Sequence, residues 1–169
     1  MNFRIILLTS ITFLTFNLFA QQEFSVEIEE TLEIANAPSV HSLSVGKTTD
    51  GKWLIVGGRV DGLHQRQPFA AFLATENNTD AFLIDPISKQ VWTKDLSSLP
   101  SAIFEQIQST NQQFFQRGNT LYITGGYGYS AFLADHITYP NLMAINVDSL
   151  ATAIINNTNI SSYFRQIAD

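Results

Sequence analysis

The chain contains two apolar segments of the β-strand type, each of which ends at a pair of glycines. Their sequences are KWLIVGG at residues 52 to 58 and TLYITGG at residues 120 to 126. A shorter apolar segment precedes each of them across a polar turn, at residues 42 to 45 and at residues 113 to 115. Apolar runs bounded by turn residues predict strands, and a pattern that recurs predicts a repeat architecture. The sequence therefore predicts a hairpin that occurs twice and ends each time in Gly-Gly.

Two further strands are predicted after the first hairpin. Residues 81 to 86 form an apolar run that ends in Asp-Pro, and residues 91 to 96 form another run that contains Trp92. In the second unit, residues 142 to 148 have the pattern of a third strand, but no Trp follows them. Each unit is therefore predicted to be an antiparallel sheet.

The glycine pairs are predicted to lie where the end of a strand approaches a neighbouring backbone. A residue without a Cβ permits both that approach and a positive φ. The alternative is that they are ordinary turn glycines.

Helix is predicted only in short segments, at Ser101 to Gln108 after Pro100 and at Ser149 to Ile155, where a serine can cap the first turn. The run Trp53 to Val56 is apolar on both faces and must be covered on both, either by neighbouring β-sheets or by helices on a parallel sheet. An α/β fold needs helical periods of about ten residues or more between strands, but the gaps here are rich in Gly, Asn, Gln, Thr and Pro. We therefore predict an all-β fold.

The order of these elements resembles the kelch repeat, in which a Gly pair is followed by an aspartate-type turn and then by a Trp. The resemblance covers about residues 38 to 155. It implies a kelch-like β-propeller of antiparallel four-stranded sheets, with two blades plus the start of a third, and it implies that Trp92 packs at a blade interface. The expected segments are blade 1 at residues 38 to 98, blade 2 at residues 99 to 156, and the start of a further blade at residues 157 to 169.

The number of repeats bears on the length of the whole protein. Closed propellers have typically four to eight blades, and repeat architectures need about three units or more to bury their faces. The chain is therefore expected to be the N-terminal fragment of a longer protein, whose remaining blades are its first partners. A half-propeller that closes by self-association is the alternative.

The N-terminus predicts export. Arg4 carries a positive charge, residues 5 to 20 are uncharged, and a polar sequence begins at Glu23. This pattern predicts a signal peptide at residues 1 to 20, followed by a lead-in segment at residues 21 to 37 with an edge strand near its start, at 24 to 28. The alternative is that the apolar segment stays as a membrane anchor. Export without any cysteine is typical of a bacterial secreted, periplasmic or cell-envelope protein, with no membrane span after cleavage.

Composition removes several classes of partner from consideration. The net charge is −6 and no basic cluster is present, so nucleic acid is not an expected ligand. The chain has no Cys, and its three His do not have the spacing of a metal motif, so we predict no metal and no cofactor. Asp61 with Asp135, and Asp80 with Asp85, are candidate acid/base pairs, but Asp85 precedes a proline and is better explained as a turn residue.

Five residues on the loops at the Gly-Gly ends of the hairpins form the predicted ligand-facing surface: His41, Arg59, His64, Tyr127 and His136. In an up-and-down sheet, the start of the first strand and the end of the second lie at the same edge, so these loops share one side of the molecule. We expect Arg59 to be available for a carboxylate and the tyrosine to stack on a sugar or a peptide. No catalytic residue is predicted.

These features favour a binding module for a protein or carbohydrate ligand, because most kelch domains are binding platforms. Two alternatives are a periplasmic carbohydrate isomerase of the sialic acid mutarotase type, which also combines a kelch propeller with export, and a purely structural surface module. An enzyme of the galactose oxidase type needs a Cys-Tyr crosslink, which this sequence lacks.

Overall fold

Both expected hairpins are present, each as the first two strands of an antiparallel sheet. The structure is a computed structural model that describes residues 25 to 27, 33 to 62 and 71 to 167. The first sheet has the strand order β1-β2-β3-β4. Its strands are β1 (Ser44–Lys47), β2 (Trp53–Val56), β3 (Asp80–Asp85) and β4 (Gln90–Asp95). As predicted, the Asp85 carboxylate closes the turn after β3, where it accepts hydrogen bonds from the N–H groups of Ile87 and Ser88.

The second sheet repeats this up-and-down order and adds one short strand. Its strands are β5 (Thr110–Arg117), β6 (Thr120–Ser130), β7 (Asp135–Thr138), β8 (Leu142–Asn146) and β9 (Phe164–Ile167). The strand order is β5-β6-β8-β9, and β7 pairs with the second half of β6. The strand β6 thus continues through its Gly pair, whereas the sequence predicted that it would end there.

The last strand also differs from the expectation. Residues 157 to 169 were expected to start a further blade, but β9 within them is hydrogen-bonded to β8 as the outer strand of the second sheet. The helical segment that takes the place of a Trp strand, and the polar residues after it, form the connection between these two strands. The connection before the outer strand is therefore longer in the second sheet than in the first, where a short turn joins β3 to β4.

Short helices occur at both predicted places in the described part of the chain: α1 (Ser101–Ile107) and α2 (Val147–Ile155). The predicted serine caps are wrong. The side chain of Asn146 caps α2 by accepting a hydrogen bond from the Ser149 N–H at 3.0 Å, and Pro100 precedes α1 without a side-chain cap. Asn is a favoured cap because its amide oxygen can satisfy an N–H of the first turn. Single turns of 3-10 helix occur at Ala74–Glu76 and Ser161–Tyr163.

The core lies between the two sheets, which belong to one compact unit that begins at Ile34. Alternate side chains of β2 and β6 point into it, because neighbouring residues of a strand face opposite ways. The sheets come close at Gly46, where an added Cβ would lie 3.3 Å from a methyl carbon of Leu121. The fully buried members include Leu54, Val56, Leu83, Leu121, Ile123, Met143 and Ile145. The fold is therefore mostly β with antiparallel sheets, as predicted.

Several expectations fall on the N-terminal part of the chain. Residues 25 to 27 of the expected edge strand have no regular secondary structure, and its two end residues are not described. The expected signal peptide and most of the lead-in segment also lie outside the described residues. Within the described part of the chain, no helix combines the length and apolar character needed to cross a membrane.

Trp92 provides a test of the packing in the first sheet. It lies on β4 opposite Leu83, is half-buried, and packs against the core. We expect Trp92→Ala to lower the free energy of unfolding by about 2–3 kcal/mol, less than the loss for a fully buried Trp. Urea unfolding of the two proteins measures this difference, and an unchanged midpoint would contradict the packing role.

Candidate functional site

The two Gly pairs have the same backbone conformation. Gly57 and Gly58 have φ of 68° and 88°, and Gly125 and Gly126 have φ of 68° and 93°. These left-handed values favour glycine, because a Cβ would collide with the backbone in this region. The positive φ expected from the sequence is thus confirmed, and the two units are equivalent in conformation as well as in strand order.

The residues after the Gly pairs have equivalent partners in the two sheets. Arg59, directly after the first pair, forms an antiparallel bridge with His41. Tyr127, directly after the second pair, is opposite Thr110. His41 therefore corresponds to Thr110, and Arg59 corresponds to Tyr127. Four loop segments, two from each sheet, meet at this edge.

Close approach explains the first Gly pair. A Cβ on Gly57 would lie 2.8 Å from the carbonyl oxygen of Ile107, and one on Gly58 would lie 2.4 Å from that of His41. The N–H of Gly58 donates a hydrogen bond to the carbonyl of Ser109 at 3.1 Å. The end of β2 is therefore seated directly on the segment that connects α1 to β5, and these glycines are more than ordinary turn residues.

Arg59 is not available at the surface as the sequence predicted. Its side chain is 1% exposed. Four hydrogen bonds hold the guanidinium: Nε to Asp61 Oδ1 at 3.0 Å, Nη2 to Asp61 Oδ2 at 2.7 Å, and Nη1 to both Asn77 Oδ1 at 3.0 Å and the Leu73 carbonyl at 3.2 Å. The expectation that Arg59 binds a ligand carboxylate is wrong, because Asp61 already occupies the fork of the guanidinium in bidentate geometry.

His41 lies beside this ion pair. Its Nε2 is 3.5 Å from Asp61 Oδ1, and its Nδ1 is 3.1 Å from Ser42 Oγ. The hydrogen bonds from Arg59 hold the pKa of Asp61 below its ordinary value, and they outweigh burial, which acts in the opposite direction. Asp61 is therefore a carboxylate at neutral pH.

A series of ring contacts connects Arg59 to the second sheet. The guanidinium carbon of Arg59 lies 5.6 Å from the ring centroid of Phe72, which meets the Tyr127 ring edge-on at 5.1 Å. Tyr127 in turn stacks on His136 at 5.8 Å. The ring nitrogen Nε2 of His136 is 3.1 Å from the Phe72 carbonyl oxygen. Tyr129 adds a further edge-on contact to His136 at 5.5 Å.

We call the six residues linked in this way the loop cluster: His41, Arg59, Asp61, Phe72, Tyr127 and His136. It brings together four of the five residues predicted for the ligand-facing surface. The fifth, His64, lies outside the described residues. Sequence reasoning missed the role of Phe72, which has no motif around it in the sequence, and considered Asp61 as an acid/base partner of Asp135. The presence of Asp61 two residues after Arg59 was the sequence signal that could have predicted the ion pair.

A cavity of about 430 Å³ lies against this cluster. Its lining residues are His41, Ser42, Arg59, Gly62, Phe72, Thr110 and Asn111. Three of them have a positive φ without being glycine: Ser42 at 54°, Phe72 at 59° and Asn111 at 57°. Such backbone strain is concentrated at functional sites in proteins. The cavity is therefore the concave part of the candidate site.

Asp80 and Asp135 are further candidates for acid/base chemistry. Asp80 lies opposite Asp95 across β3 and β4, and burial, followed by repulsion from Asp95, raises the pKa of Asp80. The carboxylate of Asp135 accepts a hydrogen bond from the N–H of His136. Among the described residues, no three His, Asp or Glu side chains are grouped so that they could hold a metal ion.

Comparisons of the chain with protein-family models, with curated proteins and with solved structures gave no significant match. The repeat and the geometry of the site are therefore the observations that bear on function.

Proposed function

We infer that the chain is part of an exported kelch-like propeller that binds a carbohydrate or protein ligand at the loop cluster. The observation that carries this proposal is the continuous set of contacts from His41 to His136, which joins the loops of both sheets at their Gly-Gly edge. Loops held on a rigid β-scaffold are a frequent place for binding residues. The export of the protein rests on the sequence pattern of residues 1 to 20.

The equivalence of the two sheets supports further blades. In the first sheet, the cross-strand pair Gly46 and Leu54 is buried against the second sheet. The equivalent pair in the second sheet is Phe115 and Tyr122, which are 68% and 37% exposed. This face has the position and the apolar character to receive a third sheet in the way that the first sheet receives the second. The proposed occupant is the next blade of the full-length protein.

The chemistry of the loop cluster suits a ligand with both apolar and polar surface. Tyr127 and His136 are half-buried, and Tyr129 beside them is exposed. Aromatic rings of this kind offer flat apolar area together with polar atoms at their edges, which a sugar ring or a peptide can use. Because Asp61 neutralises Arg59, the cluster offers no free cation from that pair.

Replacing Tyr127 tests the proposal. We expect Tyr127→Ala to weaken the binding of an oligosaccharide, or of a defined peptide, by more than about tenfold, because a stacked ring contributes a large contact area. The assay immobilises the full chain and measures binding to panels of defined glycans and peptides. Trp53→Ala is the matched control, because Trp53 is an exposed aromatic residue at the start of β2, far along the strand from the Gly pair.

The outcomes separate the candidate functions. Loss of binding in both variants, or in neither, would contradict a site at the loop cluster. Carbohydrate isomerisation is the competing function, and NMR of a bound reducing sugar would reveal it as faster exchange between the two anomers. If none of the glycans and peptides in the panels binds, the result would favour a purely structural module.

A further inference from the structure

Two buried polar atoms beside the cavity have no hydrogen-bond partner among the described residues. They are Nε2 of His41, which lies 3.5 Å from Asp61 Oδ1 without the geometry of a hydrogen bond, and Oγ1 of Thr110. Thr110 as a whole is only 1% exposed. Buried polar groups are almost always paired, because leaving one unpaired costs the free energy of its lost hydration. An unpaired atom in a native site therefore needs an explanation.

The positions of these two residues correspond in the repeat. His41 is the bridge partner of Arg59 after the first Gly pair, and Thr110 is the partner of Tyr127 after the second. Each is followed by a polar residue with positive φ, Ser42 or Asn111. Both units thus present the same combination to one cavity: a side chain with one unpaired polar atom, followed by a residue with positive φ. Chance packing defects would not be expected to recur at equivalent positions.

The charges around the cavity limit what it can hold. Arg59 is the positively charged residue in its lining, and its guanidinium is held by Asp61 on one side and by Asn77 on another. The ion pair leaves no net charge for a carboxylate or a phosphate. The remaining polar groups are two hydroxyls, an imidazole and an amide, from Ser42, Thr110, His41 and Asn111, which together can donate and accept hydrogen bonds. Hydroxyl groups match such a mixture because each one both donates and accepts.

We propose that this cavity binds one neutral pyranose ring of a carbohydrate, with Thr110 Oγ1 and His41 Nε2 as hydrogen-bonding partners of its hydroxyl groups. This deepens the proposed function and rests on it. A volume of about 430 Å³ is within the range of small-molecule sites. Phe72 supplies an apolar wall. Both partner atoms are covered in the free protein, so the half-exposed His41 ring and the Thr110 hydroxyl rotate toward the sugar when it binds.

The experiment compares Thr110→Val with the wild-type full chain. Valine has nearly the shape of threonine but lacks the hydroxyl. Amide NMR titrations use three neutral probes (methyl α-d-glucopyranoside, methyl β-d-galactopyranoside and N-acetyl-d-glucosamine) and one anionic probe, d-glucuronate. We expect at least one neutral probe to shift the amide signals of Thr110 and Asn111 saturably, and we expect Thr110→Val to raise its Kd about tenfold, the effect of one hydrogen bond. Thr124→Val, an exposed change on the same sheet, should leave Kd unchanged.

Thermal unfolding without ligand gives a second readout. Because the Thr110 hydroxyl is buried and unpaired, its removal should leave the melting temperature equal to or above that of the wild type. A hydroxyl with a purely structural role would instead lower the melting temperature on removal. Weaker binding together with undiminished stability is the result that identifies a binding residue.

Three results would overturn this proposal: no saturable shift with any neutral probe, tighter binding of d-glucuronate than of every neutral probe, or an unchanged Kd in Thr110→Val. None of them would by itself contradict the proposed function. That function fails if Tyr127→Ala keeps its full binding to the glycan and peptide panels, if Trp53→Ala loses binding as well, or if no glycan or peptide binds.

Discussion

Replacing Arg59 with alanine is expected to destabilise the protein by about 3–5 kcal/mol, the range for breaking a buried ion pair by removing one partner. The guanidinium is almost completely buried and donates four hydrogen bonds. Its removal leaves Asp61, the Asn77 amide oxygen and the Leu73 carbonyl without these donors. The loss is measured as a change in the free energy of unfolding in urea.

Two further variants define the origin of this loss. Arg117→Ala removes an exposed arginine at the end of β5 and should change stability by no more than about 0.5 kcal/mol. Arg59→Lys keeps the charge but loses the bidentate geometry, so it should recover only part of the stability. If Arg59→Ala were as mild as Arg117→Ala, Arg59 would be a surface residue, as the sequence first suggested.

The loss of folding stability at acidic pH should depend on the ion pair between Arg59 and Asp61. The pKa of Asp61 is lowered in the folded protein, mainly by the hydrogen bonds from Arg59. Its contribution is therefore fully present above the pKa of the unfolded state and is lost as the pH falls through the folded value. Stability of the wild type should accordingly fall more steeply than that of Arg59→Ala below about pH 4, near the ordinary pKa of Asp.

The sequence was informative about the fold wherever the pattern was local. The strand runs, the positive φ of the Gly pairs and the Asp85 turn each depend on a few neighbouring residues, and they occur as predicted, although β6 continues through its Gly pair. The strand β9 was not recognised, because four residues after a polar connection carry little periodicity and its place is fixed by pairing with β8. The cap of α2 was also misassigned, since Asn146 and Ser149 are both capable caps in sequence.

The candidate site was predictable in its location but not in its chemistry. The hairpin geometry placed Arg59 and Tyr127 at one edge, since both follow a Gly pair. Burial of Arg59 depends on Asn77 and on the loop before it, and no local pattern reveals such contacts. The unpaired hydroxyl of Thr110 is likewise a property of packing, so only the structure could bring it to attention.

The two equivalent glycines Gly57 and Gly125 provide a matched pair of substitutions. Both have φ of 68°, so alanine at either position carries the strain of a left-handed residue, about 1–2 kcal/mol. Their surroundings differ. A Cβ at Gly57 would lie 2.8 Å from the Ile107 carbonyl oxygen and 2.9 Å from Gln112 Oε1, whereas a Cβ at Gly125 has no atom within 4 Å.

The neighbours of Gly57 cannot easily withdraw. The amide of Gln112 accepts a hydrogen bond from Ser44 Oγ at 2.7 Å and donates to the carbonyls of Gln106 and Ile107 at 2.8 and 3.0 Å. Moving Gln112 would break this buried network, and moving Ile107 would shift the end of α1. The overlap must therefore be relieved by separating the two sheets at their Gly-Gly edge.

We expect Gly57→Ala to lower the free energy of unfolding by about 2–5 kcal/mol, the strain plus about 1–3 kcal/mol for overpacking. Gly125→Ala should lose only the strain, about 1–2 kcal/mol. Urea unfolding of both variants measures the difference, which isolates the contact between the sheets because the backbone term is common to both. Equal losses would show that the first Gly pair is not packed against the second sheet, and the explanation of the repeated glycines by close approach would fail.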